Sequence, residues 1–86
     1  MEIIIYTSRG CVWCARMREL MSRANQEYTE ILWQDLDGDS QVALGKQYPD
    51  ISSFPFVIID GEYVGGLVPV AKKFLADGLV TAPQKK

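Results

Sequence analysis

The spacing of apolar and polar positions changes along this chain and divides it into short elements. Residues Glu2 to Thr7 are a β-branched, apolar run (Ile3, Ile4, Ile5, Tyr6), the composition of a central strand buried on both faces. From Cys11 to about Ala24 the spacing becomes helical. Cys14, Met17, Met21 and Ala24, with Leu20 beside them, fall on one side, and Arg16, Glu19 and Arg23 can face water. Asn25-Gln26 closes that helix. Tyr28 to Trp33 alternates, with Ile31 and Trp33 in phase, and predicts a second strand.

Asp35-Leu36-Asp37-Gly38-Asp39-Ser40 is turn chemistry, with Asp39 or Ser40 as the cap of a short helix from about Gln41 to Tyr48. Pro49-Asp50 breaks it. Phe56 to Asp60 predicts a third strand. Asp60-Gly61 is a two-residue hairpin signal that leads into Glu62-Tyr63-Val64. Gly65-Gly66 opens a last helix, roughly Val68 to Asp77, with Gly78 as its terminator.

The order β-α-β-α-β-β-α makes this an α/β chain. The first strand, helix and second strand predict a right-handed parallel crossover, and the terminal hairpin is necessarily antiparallel. A four-stranded mixed sheet flanked by helices on both faces results. No internal repeat or linker interrupts the pattern, so residues 1–80 read as one domain and 81–86 as a loose tail.

Composition narrows the function. Eighty-six residues, 48% of them hydrophobic, support one core and hardly more. A formal net charge of −2 gives no electrostatic reason to expect nucleic-acid binding. No apolar stretch approaches the roughly 20 residues of a membrane span. The N-terminus lacks the basic start and long apolar segment of a signal peptide, so it reads as the first strand. The expected compartment is a reducing cytoplasm, where a disulfide is usually transient and catalytic. With no histidine and two cysteines, one chain cannot complete the usual four-ligand zinc site, and no metal or tightly bound cofactor is expected.

Those two cysteines, Cys11 and Cys14, carry the chemistry. They follow an apolar strand pattern and start a helical one. With Cys11 at the helix N-terminus and Cys14 one turn in, their Cα atoms fall roughly 5–6 Å apart, a span that a disulfide accepts. First-turn amide hydrogens have no partner inside the helix and stabilise negative charge. They lower the pKa of a thiol at Cys11 from its free value of about 8.5. Cys14, further along, is expected to be buried and less acidic. Cys11 therefore attacks and Cys14 resolves. Half of a metal site shared between chains, or two incidental core thiols, are the competing readings.

Pro55 precedes a strand that should be central, where proline cannot donate to the ladder. It is either a simple turn proline or the first residue of the strand behind a cis Phe54–Pro55 bond.

Taken together, Tyr6-Thr7 before Cys11-Val12-Trp13-Cys14, then Ser53-Phe54-Pro55-Phe56-Val57-Ile58-Ile59-Asp60-Gly61-Glu62-Tyr63-Val64-Gly65-Gly66, resemble the glutaredoxins of the thioredoxin-like superfamily. The likeness runs from Ile3 to about Leu79. It implies a thioredoxin-like fold, a cis Pro55 facing the dithiol, and a Phe54 backbone that pairs with the cysteinyl part of a bound thiol. It also implies that Gly65-Gly66 lets the substrate approach closely. Glutathione is then a co-substrate, and disulfide-containing proteins, ribonucleotide reductase among the candidates, and glutathione mixed disulfides are the substrates of an oxidoreductase, expected to be a monomer, acting in cell redox homeostasis and electron transport.

The chain departs from the commonest family pattern in three places. Val12 and Trp13 stand where many glutaredoxins carry proline and tyrosine. Ser8 replaces a lysine, with Arg9 adjacent and able to bind a glutathione carboxylate. Leu67, Val68 and Pro69 follow the glycine pair, where acidic residues commonly meet the γ-glutamyl end of glutathione. The Cys-Val-x-Cys form is also similar to redoxins that donate electrons to ribonucleotide reductase and are recharged by thioredoxin reductase. A glutathione-supported iron–sulfur cluster bridging two chains is a lesser alternative.

Trp13 is either packed over the helix end or part of a docking surface beside Cys11. Arg9, Arg16, Arg18 and Arg23 are a solvated face, or else Arg9 and Arg16 steer anionic glutathione or an acidic protein partner. Glu27, Glu30, Asp35, Asp37 and Asp39 read as surface.

Overall fold

The computed structural model describes residues 2–51 and 53–80. Strand β1 (Ile3–Thr7) leads through a short loop into helix α1 (Val12–Arg23) and returns as β2 (Thr29–Leu32). A 3₁₀ turn, Trp33–Asp35, precedes helix α2 (Gly38–Gln47). Strands β3 (Phe56–Ile59) and β4 (Glu62–Gly65) form the hairpin, and helix α3 (Leu67–Ala76) closes the order β-α-β-α-β-β-α.

The sheet runs β2-β1-β3-β4. β1 pairs with β2 in parallel, Ile4 opposite Thr29 and Thr7 opposite Leu32. It pairs antiparallel with β3, Ile3 opposite Ile59 and Tyr6 opposite Phe56. The two middle strands are the β-branched, apolar ones, as a strand covered on both faces requires.

Alternation along these strands sorts side chains between two layers. Ile3, Ile5, Val57 and Ile59 face Met17 and Met21 of α1 and Val70 and Phe74 of α3, and this cluster is the main core. Tyr6, Phe56 and Ile58 point the other way, toward Leu44 of α2, Tyr48 and Trp33. Tyr6 stacks on Phe56 across the strand pair, centroids 4.7 Å apart and planes 12° from parallel. The helical side chains predicted to be buried on α1 are buried: Met17 and Met21 fully, Cys14 to 1% exposure.

Two boundaries differ from the sequence pattern for reasons the packing shows. Trp33 leaves the second strand and starts the 3₁₀ turn, because its ring packs on Phe54 and Phe56, with centroids 5.5 and 6.1 Å away. Helix α2 begins at Gly38, not Gln41. Its cap is Asp37 rather than Asp39 or Ser40: the Asp37 carboxylate accepts from the Ser40 backbone N–H at 2.8 Å, the N-cap to N3 bond that closes a first turn.

The hairpin and the last helix end as predicted. Asp60 and Gly61 both have positive φ (52° and 84°), the requirement of a tight two-residue turn between twisted strands. At the end of α3 the Leu79 N–H donates to the Phe74 carbonyl at 2.8 Å around Gly78. The tail expected over 81–86 lies outside the described residues. Among the described residues no helix is long and apolar enough to cross a membrane.

Candidate active site

β1 delivers the chain to the site. Thr7, its last residue, is fully buried, and Gly10 turns the loop with φ +71°. Cys11 then takes the N-cap of α1 in extended backbone (φ −86°, ψ 107°), and its side chain makes no cap hydrogen bond. Cys11 and Cys14 are disulfide-bonded, with Cα atoms 5.4 Å apart, inside the separation expected from one helical turn. Their surroundings differ. Cys14 is 1% exposed among the core side chains, whereas Cys11 is only half-buried at the rim. Of the two sulfurs, one can meet a substrate and the other cannot.

The loop before Cys11 is held from across the sheet. The Arg9 N–H donates to Oε1 of Gln34 at 3.3 Å, and Nε2 of Gln34 donates to Oγ of Ser8 at 3.0 Å. Nothing in the sequence marks Gln34, since a lone glutamine 26 positions from Ser8 carries no pattern; only the parallel β1–β2 pairing brings it here. A second tie runs under α1. Oγ1 of Thr7 donates to Oε2 of Glu30 at 3.2 Å, and Arg18 donates to the same carboxylate through Nε and Nη2, at 2.8 and 2.7 Å. The Arg18 hydrogen bond is the chief reason that the Glu30 carboxyl lies below its usual pKa. The acidic residues grouped as surface thus divide: Glu30 joins helix to sheet and Asp37 caps α2.

Arg18 is paired with Glu30, and Arg23 with Glu19. Among the described residues Arg9 and Arg16 form no ion pair. Arg16 instead places its guanidinium 5.0 Å from the centroid of the Trp13 ring. Trp13 is 53% exposed and Val12 74%, so neither is packed over the helix end.

Phe54–Pro55 is a cis peptide bond immediately before β3. Beside it opens a groove of 320 Å³ lined by Trp13, Phe54, Pro55, Gly66, Leu67 and Val68. Four residues singled out from the sequence therefore share one wall system: Trp13, Phe54, Pro55 and Gly66. Gly66 is the extended N-cap of α3, and a β-carbon there would stand 3.4 Å from the Pro55 carbonyl oxygen. Gly65, next to it at the end of β4, is buried, with φ +122°. Val12 stands on the exposed first turn of α1, and Arg9 on the loop ahead of it. A larger depression of 540 Å³, bordered by Asp60, Glu62 and Lys73, lies by the hairpin and includes no residue of the dithiol motif. Among the described residues no group of three or more His, Cys, Asp and Glu is placed to hold a metal.

Known proteins resemble this chain in sequence and in fold. The glutaredoxin family model matches residues 3–64. Glutaredoxin 1 of Rickettsia bellii is 33% identical over 89 residues, covering 98% of this chain and 91% of the relative. Among solved structures, a buckwheat glutaredoxin–glutathione complex superposes with a TM-score of 0.72 at 24% identity, covering 90% of this chain and 71% of that one, a likeness of fold. The thioredoxin-like protein BC3987 superposes with a TM-score of 0.67 at 31% identity, covering 91% and 99% of the two chains.

Proposed function

This chain belongs to the glutaredoxin family, and on that footing we propose that it reduces protein disulfides and glutathione mixed disulfides, Cys11 attacking and Cys14 resolving. The observation that carries the role assignment is the unequal exposure of the pair: an accessible Cys11 at the N-cap of α1 and a Cys14 that is 1% exposed.

In the reduced protein the α1 amides stabilise a Cys11 thiolate. It attacks one sulfur of the substrate disulfide; that S–S bond breaks, and the departing thiolate takes a proton from solvent. Cys14 then gives up its proton and attacks Sγ of Cys11. The mixed disulfide breaks, and the second substrate thiol leaves. Both electrons have passed to the substrate, and the protein is left with the Cys11–Cys14 disulfide.

Glutathione restores the dithiol. One molecule forms a mixed disulfide with a protein sulfur, and a second attacks that bond to give oxidised glutathione. Support for this reductant comes from the family and from the buckwheat relative, whose structure contains glutathione. The groove offers the cis Phe54–Pro55 segment and the open approach at Gly66, and Arg16 on α1 and Arg9 on the loop before it supply cations for carboxylates. A cytoplasmic setting suits a disulfide that must be reopened in every cycle.

One observation favours a second reading, an electron donor to ribonucleotide reductase recharged by thioredoxin reductase. Leu67, Val68 and Pro69 form an apolar groove wall, with no charged side chain for the amino end of a peptide.

Turnover of a glutathione mixed disulfide separates the readings. One reaction contains glutathione, glutathione reductase and NADPH; the other replaces the first two with thioredoxin reductase. Turnover in the first, retained in Cys14→Ser, upholds the glutathione reading. Turnover only in the second, with Cys14 indispensable, overturns it in favour of the electron donor.

A further inference from the structure

The groove beside the dithiol is the least usual surface of this molecule. Among the described residues five large apolar side chains are exposed; Val42 on α2 and Leu75 late in α3 stand apart, but Val12, Trp13 and Val68, at 74%, 53% and 62%, are gathered around the site. Exposed apolar area concentrated at one place marks a surface that something covers. Its volume of 320 Å³ is within the range of pockets that accept a compact ligand group, and an apolar group is the one its walls desolvate at least cost.

Two further observations say what that group is attached to. First, Leu67 borders this groove and also a second depression, of 380 Å³, that continues between α1 and α3 past Arg16, Leu20 and Ala71. The two adjoin at Leu67 and together make a track along the redox helix α1, longer than a single side chain needs. Second, the track has uncompensated positive charge. Among the described residues its one acidic side chain, Glu19, is paired with Arg23, while Arg16 leans over Trp13 with no carboxylate partner.

We propose that this track docks the polypeptide around a substrate disulfide: a segment with a bulky apolar side chain next to its cysteine and a carboxylate close by. The apolar side chain seats against Trp13 and Val68, the chain passes over Leu67, and the carboxylate meets Arg16. Val68 and Arg16 are then specificity-determining residues. The inference rests on the thiol–disulfide exchange reading above and names the substrate class for it.

Two short synthetic peptides, each closed by one internal disulfide, test this. One carries Leu beside a cysteine and Glu near it; the other carries Ser and Lys at those positions. Each is mixed with the pre-reduced protein in a single turnover, so the physiological reductant does not enter. Rates are divided by the rate with dithiothreitol, which removes intrinsic reactivity. The Leu–Glu peptide is reduced about tenfold faster or more, the discrimination that one apolar group in a pocket and a rim charge supply. Val68→Asp brings the ratio to one or below. Arg16→Gln lowers it and weakens its dependence on salt.

Reading a ratio within each protein cancels any general loss of activity or folding. A ratio near one in the unaltered chain, or a ratio that Val68→Asp leaves in place, overturns the docking track while exchange itself stands. Reduction of neither peptide overturns exchange and this inference with it. Sedimentation equilibrium is expected to give a monomer; a dimer lost in Val68→Asp assigns the track to a second copy of the chain and also overturns the proposal.

Discussion

No β-carbon fits at Gly65 without moving Pro69: built on the backbone, it stands 3.1 Å from Cγ of that proline, and φ at Gly65 is +122°, a region side chains rarely adopt. Its neighbour Gly66 differs. It is extended, and its β-carbon would touch only the Pro55 carbonyl oxygen, at 3.4 Å. Gly65→Ala should therefore destabilise the fold, by about 1–3 kcal/mol. Gly66→Ala should cost less stability, only what alanine loses to glycine as the N-cap of α3, and lower kcat/KM for disulfide substrates, because its methyl group enters the groove. Thermal melts of both variants beside an exchange assay check this. Equal stability of the two proteins would mean that Gly65 is not conformationally required.

The position of Cys11 predicts an acidic thiol. As N-cap of α1 it adjoins first-turn amides that no side chain caps, so the reduced protein should show thiolate absorbance at 240 nm rising well below the free-cysteine value of about 8.5. Cys14, almost fully buried, should titrate later. The early step should vanish in Cys11→Ser, which should lose all exchange activity. An early step that survives in Cys11→Ser would exchange the two roles.

Helix α2 has no fully buried residue among its ten, so it depends on its ends more than α1 or α3 do. Asp37→Ala removes the acceptor for the Ser40 N–H and should lower the melting temperature by about 4 °C, while Asp37→Asn, which keeps a side-chain oxygen there, should restore most of it. Similar melts for Ala and Asn would show that the carboxylate charge, not the acceptor, matters. The Asp37 carboxyl also lies below its usual pKa because of Ser40, so its contribution is present above the ordinary value and fades as pH falls through the lower folded one.

Much of this was readable from residue spacing. The β-branched run Ile3–Ile5, the helical stripe of Cys14, Met17 and Met21, and the Asp60-Gly61 turn each state their geometry within a few neighbouring positions, and the structure follows them. The motif residues Trp13, Pro55 and Gly66 converge because the fold is one whose chain order fixes its topology. What spacing could not supply depended on contacts between distant segments. Trp33 fits an alternating strand, and only an aromatic cluster with Phe54 and Phe56 explains its departure. Asp37, Asp39 and Ser40 are all competent caps, and the choice among them follows from where α2 must begin to place Leu44 on the sheet. Gln34 and Glu30 are ordinary polar residues until the parallel register of β2 sets them beside the loop and under α1.

Glu30 gives the last prediction. Its carboxylate accepts from Arg18 on α1 and from the buried hydroxyl of Thr7, so one side chain links the redox helix to the strand that ends at its loop. Hydrogen bonding to Arg18 lowers its pKa in the folded protein below the ordinary 4.5. A carboxyl so lowered stabilises the fold while ionised: the contribution is complete above the ordinary value and is lost as pH falls through the lower folded one. Glu30→Gln should therefore melt earlier than the unaltered protein at pH 7, and the difference should shrink as both are taken toward pH 3. The effect is small, about 0.5 kcal/mol, because Arg18 and Glu30 are 46% and 31% exposed and water screens the pair. Thr7→Val removes the other donor but leaves the ion pair, so its deficit should not fade with acid in the same way. A Glu30→Gln deficit unchanged between pH 7 and pH 3 would assign the link to side-chain packing rather than to the charge, and the acid sensitivity of the helix–sheet junction to other carboxylates.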